Sequence, residues 1–154
     1  MALANTIWPS DLVTPPELKQ WLADFYETVD SKADNSGTKL AALFTDDGIM
    51  HGMSGQVAGK EAIAASRKSA WTAIASRKHV VVCVYAGAKD FSSILIIGNL
   101  VAGLHNGNQI DVEFIAQVDL DGVVQERPRA TLYKVWGRTV GKSDVFVAAH
   151  VCSR

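Results

Sequence analysis

Gln109-Ile-Asp-Val-Glu-Phe-Ile-Ala-Gln-Val-Asp-Leu120 decides the fold. Asp111, Glu113, Ile115 and Gln117 fall on one parity, and Val112, Phe114, Ala116 and Val118 on the other. A sustained period of two marks a β-strand with one apolar and one mostly polar face. The stretches His79 to Tyr85, Phe91 to Leu104 and Val123 to Trp136 are equally rich in β-branched and aromatic residues. Turn signals separate them at Gly87 to Asp90, Asn106-Gly107-Asn108 and Asp121-Gly122, and Asp144 to Val151 reads as a last strand. These connections are too short for crossover helices, so the strands pair antiparallel.

Toward the N-terminus the period changes. Thr14-Pro15-Pro16-Glu17 reads as a capping box, and Leu18, Trp21, Leu22, Phe25, Tyr26 and Val29 then form one apolar helical face ending near Asp30. Thr38 to Phe44 reads as a second helix, stopped by Asp46-Asp47-Gly48. Ile49 to Gly52 reads as a short strand followed by a glycine-bearing loop to Gly59. Lys60 to Ser76 reads as a third helix, with Ile63, Arg67, Ala70, Trp71 and Ile74 on one side. Helices first and long strands after them predict an α+β fold. Gly98 and Gly103 inside a long strand predict bends, hence a curved sheet whose hollow the three helices fill.

The length suits one domain over residues 1–154. With 48% apolar and 20% charged residues, the chain has a globular composition. A formal net charge of -1 with interspersed signs argues against a nucleic-acid partner. No apolar run reaches membrane-spanning length, and no basic segment precedes an apolar N-terminal core, so neither a membrane span nor a signal peptide is expected. Cys83 and Cys152 suggest no disulfide framework, and a reducing, cytoplasmic setting is the expectation. His51, His79, His105 and His150 show no paired metal-ligand spacing, so no metal is expected. The Gly52 to Gly59 loop lacks phosphate-binding patterns, and no nucleophile elbow is present. Nucleotide binding is therefore not expected.

Polar residues that interrupt apolar strands are the candidate working parts, because a buried polar group needs a partner. His79 shares a strand face with Val81, Cys83 and Tyr85; Asn99 and His105 share a face on the next strand. Arg127, Arg129, Thr131 and Tyr133 form one face of the last long strand, opposite Ala130, Leu132 and Trp136. Glu113 has two readings. It points to water with Asp111 and Gln117, or it points into the hollow, where burial would make it a usable base. On the second reading Arg127 or Arg129 is a possible neutralising partner. Asp30 stands at a helix C-terminus, where the dipole disfavours a carboxylate, and has two readings: it caps the following turn, or another interaction such as a bond to a histidine holds it. Catalytic candidates are thus Asp30, His79 and Glu113. Tyr26, His51, Met53, Trp71, Asn99, His105 and Phe114 are candidates for lining a substrate site.

Local phrases carry a family resemblance. Phe44-Thr45-Asp46-Asp47-Gly48, then Gly55-Gln56-Val57-Ala58-Gly59-Lys60-Glu61-Ala62-Ile63, resembles the F-x-x-D-[AG] … G-x-x-G-x-x-x-I passage of SnoaL-like proteins in the nuclear transport factor 2-like superfamily. Arg77-Lys78-His79-Val80 resembles that family's strand start. Val29-Asp30-Ser31-Lys32 is similar to the helix end of scytalone dehydratases, which carries a catalytic aspartate; Val29 stands where those enzymes have a tyrosine. The resemblance implies a cone-shaped, strongly curved antiparallel sheet around three N-terminal helices, and a homodimer formed through the sheet. It implies cofactor-independent isomerases, cyclases or dehydratases acting on small polyketide- or terpenoid-derived molecules of secondary metabolism. The family also contains non-catalytic ligand-binding and interaction modules. An apolar second sheet face would itself need cover, which points to the same dimer.

Overall fold

The computed structural model describes residues 1–121 and 126–139, with the backbone of 146–147. In chain order it contains α1 (Pro16–Asp30), α2 (Ser36–Ala42), β1 (Phe44–Gly52), β2 (Gly55–Ala58) and α3 (Lys60–Ala65). A 3-10 turn (Ser66–Ser69) follows, then β3 (Ile74–Ala86), β4 (Ser93–Leu104), β5 (Gln109–Leu120), β6 (Ala130–Thr139) and β7 (Phe146–Val147). The sheet runs β2-β1-β6-β5-β4-β3, with β7 also on β6. All pairs are antiparallel except β1 with β6, which is parallel because the α3-to-β5 segment intervenes between them. The fold is α+β, three helices against one face of a bent sheet.

The inner sheet face presents Val81, Val84, Ile94, Ile96, Val112, Phe114, Ala116, Val118, Tyr133 and Val135. Against it α1 lays Leu18, Trp21, Leu22, Phe25 and Tyr26. Phe25 anchors this layer, stacked on Trp21 at 5.3 Å and tilted against Tyr133 at 4.5 Å between ring centres. The Trp21 indole N–H donates to the Leu43 carbonyl at 3.0 Å, which ties α1 to the end of α2.

Several sequence expectations shift in place. Thr14 does not cap α1: the cap position is Pro15, which has no side-chain donor or acceptor to offer. Asp46-Asp47-Gly48 lies inside β1 as an irregularity rather than before it, and the expected loop at Gly55 is strand β2. The third helix ends at Ala65, because chain 74–78 pairs with β4 instead of continuing the helix. Two bulges reverse side-chain parity. In β3 the register slips between Val81 and Cys83, so Val84 points inward while Cys83 and Tyr85 point out. At the start of β6 a slip around Thr131 puts both Ala130 and Tyr133 inside. Within the expected strand Val123 to Trp136, residues 122–125 lie outside those described, as does most of Asp144 to Val151.

Gly98 sits where β4 crosses under the Phe114 ring. A Cβ there would collide with Phe114 and stand 2.7 Å from the Val80 carbonyl oxygen. Gly98→Ala should therefore destabilise the fold by about 1–3 kcal/mol, as overpacking does. Gly52→Ala, where the nearest atom is 3.9 Å away, should stay within about 0.5 kcal/mol. Urea unfolding of the two variants measures the contrast.

Candidate active site

The last turn of α1 carries Tyr26 and Asp30 four residues apart, hence on one helix face. That face meets β3 at His79. The Asp30 carboxylate grips His79 twice: Oδ1 lies 2.6 Å from the ring Nδ1, and Oδ2 accepts the His79 backbone N–H at 2.8 Å. A carboxylate accepts and does not donate, so Nδ1 carries a proton, and whenever the ring is neutral Nε2 is the nitrogen with the lone pair. Nε2 makes no hydrogen bond to any described residue. The two side chains keep 11% and 20% of their surface, His79 and Asp30 respectively. Around the imidazole stand Tyr26 at 5.2 Å and Phe114, edge-on, at 5.6 Å between ring centres.

Two arginines hold the helix end. Arg67 Nη2 donates to the Val29 carbonyl at 2.8 Å, and Arg77 Nη2 donates to the same carbonyl. Arg77 Nε also lies 3.7 Å from Asp30 Oδ1. Carbonyls of a helix C-terminus lack intrahelical partners, and a carboxylate there opposes the dipole by roughly 0.3–1 kcal/mol. The guanidinium groups meet both needs, and His79 adds the second hold on Asp30. Burial, then the neighbouring Arg67 charge, bring Arg77 down to about 10. Trp71 lies across this cluster. Its indole N–H donates to the Ser31 carbonyl at 3.2 Å, and Arg77 and Lys32 sit over its ring at 4.4 and 5.2 Å.

Tyr26 is wholly enclosed. Burial first, then the Tyr133 phenol beside it, hold its hydroxyl well above the ordinary tyrosine range, so it stays protonated. That hydroxyl has no well-aligned hydrogen bond.

Of the residues expected from sequence, the structure brings Tyr26, Asp30, His79 and Phe114 together, with Trp71 at the edge. Met53 packs farther along the inner surface, beside Val112 and Gly137. Four others lie elsewhere. Glu113 is on the outer face, 59% exposed, with Arg138 at 3.7 Å. No bulge interrupts the β4–β5 register, so burying Val112 and Phe114 forces Glu113 outward. The expected neutralising partner Arg129 is instead on Asp121 at 2.9 Å. Asn99 is directly across from Glu113 and also faces out. His51 shares an outer row with Lys134 and Gln117, because its neighbour Met50 takes the inward place opposite Tyr133. His105 is exposed in the β4–β5 turn, and its Nε2 lies 3.1 Å from the Trp71 carbonyl.

Sequence reasoning missed Arg67, Arg77 and Tyr133 as parts of the site. A signal existed for the first two. Arg67 interrupts the apolar side formed by Ile63, Ala70 and Trp71, and Arg77 shares the parity of His79.

No family model matches the sequence, and no curated protein matches it. Solved structures do. A protein described as a scytalone dehydratase from Novosphingobium aromaticivorans superposes with a TM-score of 0.65 at 13% identity, covering 89% of this chain and 88% of that one. A type 2 hexachlorocyclohexane dehydrochlorinase gives 0.64 at 13% identity, covering 84% and 90%. A SnoaL-like polyketide cyclase from Shewanella denitrificans gives 0.60 at 13% identity, covering 79% and 90%.

The chain has the nuclear transport factor 2-like fold. The described residues contain no group of three or more His, Cys, Asp and Glu that could hold a metal ion. None of their helices is long and apolar enough to cross a membrane.

With its ring neutral, His79 should exist as the Nδ1–H tautomer, read from long-range proton–nitrogen NMR correlations. Asp30→Ala should return the ring to a tautomer mixture; an Nε2–H form in the unaltered protein would contradict the grip by Asp30.

Proposed function

We propose that this chain is a cofactor-independent acid–base enzyme acting on a small, largely apolar carbonyl compound. The observation that carries the reading is the double grip of Asp30 on His79, which leaves Nε2 as an oriented, unpartnered base beside an aromatic wall. Nε2 takes a proton from a carbon next to a carbonyl, and the electron pair moves onto the carbonyl oxygen as an enolate. Asp30 stabilises the imidazolium that forms, as the carboxylate of a triad does. The protonated Tyr26 phenol is the donor for the enolate oxygen.

From the enolate three outcomes share the same first step. Returning the proton to another carbon isomerises the molecule. Attack of the enolate carbon on a second carbonyl closes a ring, and the imidazolium returns its proton to the alkoxide so formed. Loss of a β-hydroxyl, which takes the proton and leaves as water, gives a dehydration. Polyketide- and terpenoid-derived intermediates of secondary metabolism offer such groups, and similarly folded proteins described as a dehydratase, a dehydrochlorinase and a polyketide cyclase support this range.

A second reading is a non-catalytic ligand-binding or interaction module of the same fold. It is favoured by the outward placement of Glu113 and Asn99 and by the close aromatic packing of the interior. The outer sheet face suits a further proposal, a homodimer. Tyr85, Leu95, Val101 and Ile115 are exposed there, with Ile97 and Trp136 in register beside Ile115.

A panel of small apolar ketones, each followed by NMR for uptake of solvent deuterium, tests the enzyme reading. His79→Ala should slow exchange by about 10²–10⁴-fold, the usual worth of a general base, while Glu113→Gln leaves it unchanged. Equal exchange in the protein and its His79→Ala variant would decide for the binding module. Sedimentation should show a dimer that Ile115→Glu converts to monomer; a monomer at micromolar concentration before substitution would remove that assembly.

A further inference from the structure

The two arginines at the end of α1 do more than cap it. Arg67 and Arg77 both donate to the Val29 carbonyl, whose two lone pairs accept both, so two guanidinium groups lie side by side. Lys32 also stands over the Trp71 ring, with its ammonium on the Ala75 carbonyl at 2.6 Å. Two guanidinium groups thus share one carboxylate, Asp30. Among the described residues Arg67 has no ion pair, and Arg77 has only the 3.7 Å contact with Asp30, a carboxylate already committed to His79.

The Nε atoms of both arginines are buried and have no hydrogen-bond partner. Buried donors are nearly always satisfied, so each exception asks for a missing acceptor. Capping accounts for the Nη2 groups, and Arg77 Nε has the 3.7 Å ion contact with Asp30, but neither Nε–H makes a hydrogen bond and two guanidinium charges share one carboxylate. An uncompensated buried charge is costly, and a bound anion removes that cost. Two N–H groups on neighbouring guanidiniums match the two oxygens of one planar carboxylate.

We infer that the site takes a carboxylate-bearing ligand, its anionic group held by Arg67 and Arg77 and its apolar body directed toward His79 and Phe114. The inference rests on the same Asp30–His79 site as the enzyme reading and names the substrate class, an apolar carboxylic acid. The Trp71 indole covers Arg77, on the turn between the 3-10 helix and β3. The carboxylate enters as that ring shifts, which makes Trp71 fluorescence a reporter.

Calorimetric titration of 2-naphthoate and of the uncharged 2-naphthamide separates charge from shape. The carboxylate should bind about tenfold or more tightly, the ordinary advantage of charge-assisted hydrogen bonds. Arg67→Gln should erase that preference while leaving naphthamide binding within about twofold. Equal affinity of the two probes for the unaltered protein, or no binding of the naphthoate, overturns the inference without any variant. If Arg67→Gln does not fold, Arg67→Lys, which keeps the charge but lacks the Nε–H, should bind naphthoate more weakly than the unaltered protein; undiminished affinity overturns the role of Nε. His79→Ala should keep the preference for carboxylate. Preference without deuterium exchange would therefore sink only the enzyme reading, and exchange without preference only the anion site.

Discussion

The Asp30–His79 contact is the constraint on which the site depends. It is one side chain spanning two layers, with one oxygen on the imidazole and the other on the β3 backbone. The backbone bond fixes where α1 ends relative to the sheet, and the ring bond fixes the tautomer. Without it, a carboxylate at a helix C-terminus would be a liability. With it, the same carboxylate becomes the orienting partner of a base. Arg67, Arg77 and Trp71 then close around the helix end, so position, charge and orientation are set by one small cluster.

The rest of the molecule supplies the frame. Phe25 and its aromatic neighbours hold α1 against β6, and Phe114, lying across Gly98, keeps the sheet close beneath His79. Strand bulges in β3 and β6 decide which residues of a long strand see the interior. Through them Val84 and Tyr133 enter the core, and Cys83 and Tyr85 leave it.

The α+β class and most element positions were legible because the period changes sharply after Ser76 and strand β5 alternates without interruption. Asp30 was legible as an anomaly, a carboxylate where the helix dipole opposes one. The burial of Tyr26 and Phe114 followed from their apolar faces. Of the two readings of Glu113 the outward one holds, and its choice as a catalytic candidate fails, because the strand pattern states that two faces differ but not which of them meets the helices. His51 and Asn99 were misread for the same reason. The parallel β1–β6 pair, the early end of α3 and the two bulges depend on contacts distant in sequence, which local pattern does not encode. Arg67 and Arg77 were visible as cations on apolar faces, but their shared target, the Val29 carbonyl, exists only once α1, the 3-10 turn and β3 have met.

If Asp30 and His79 work as one unit, their contributions to proton transfer cannot be independent. The decisive measurement is a double-mutant cycle on solvent exchange into the best ketone probe, with Asp30→Asn, His79→Gln and both together. The account predicts that the double variant is no slower than His79→Gln alone, because Asp30 acts only through the imidazole. Losses that multiply, with the double variant slower by the product of the single effects, would show two separate roles and contradict it.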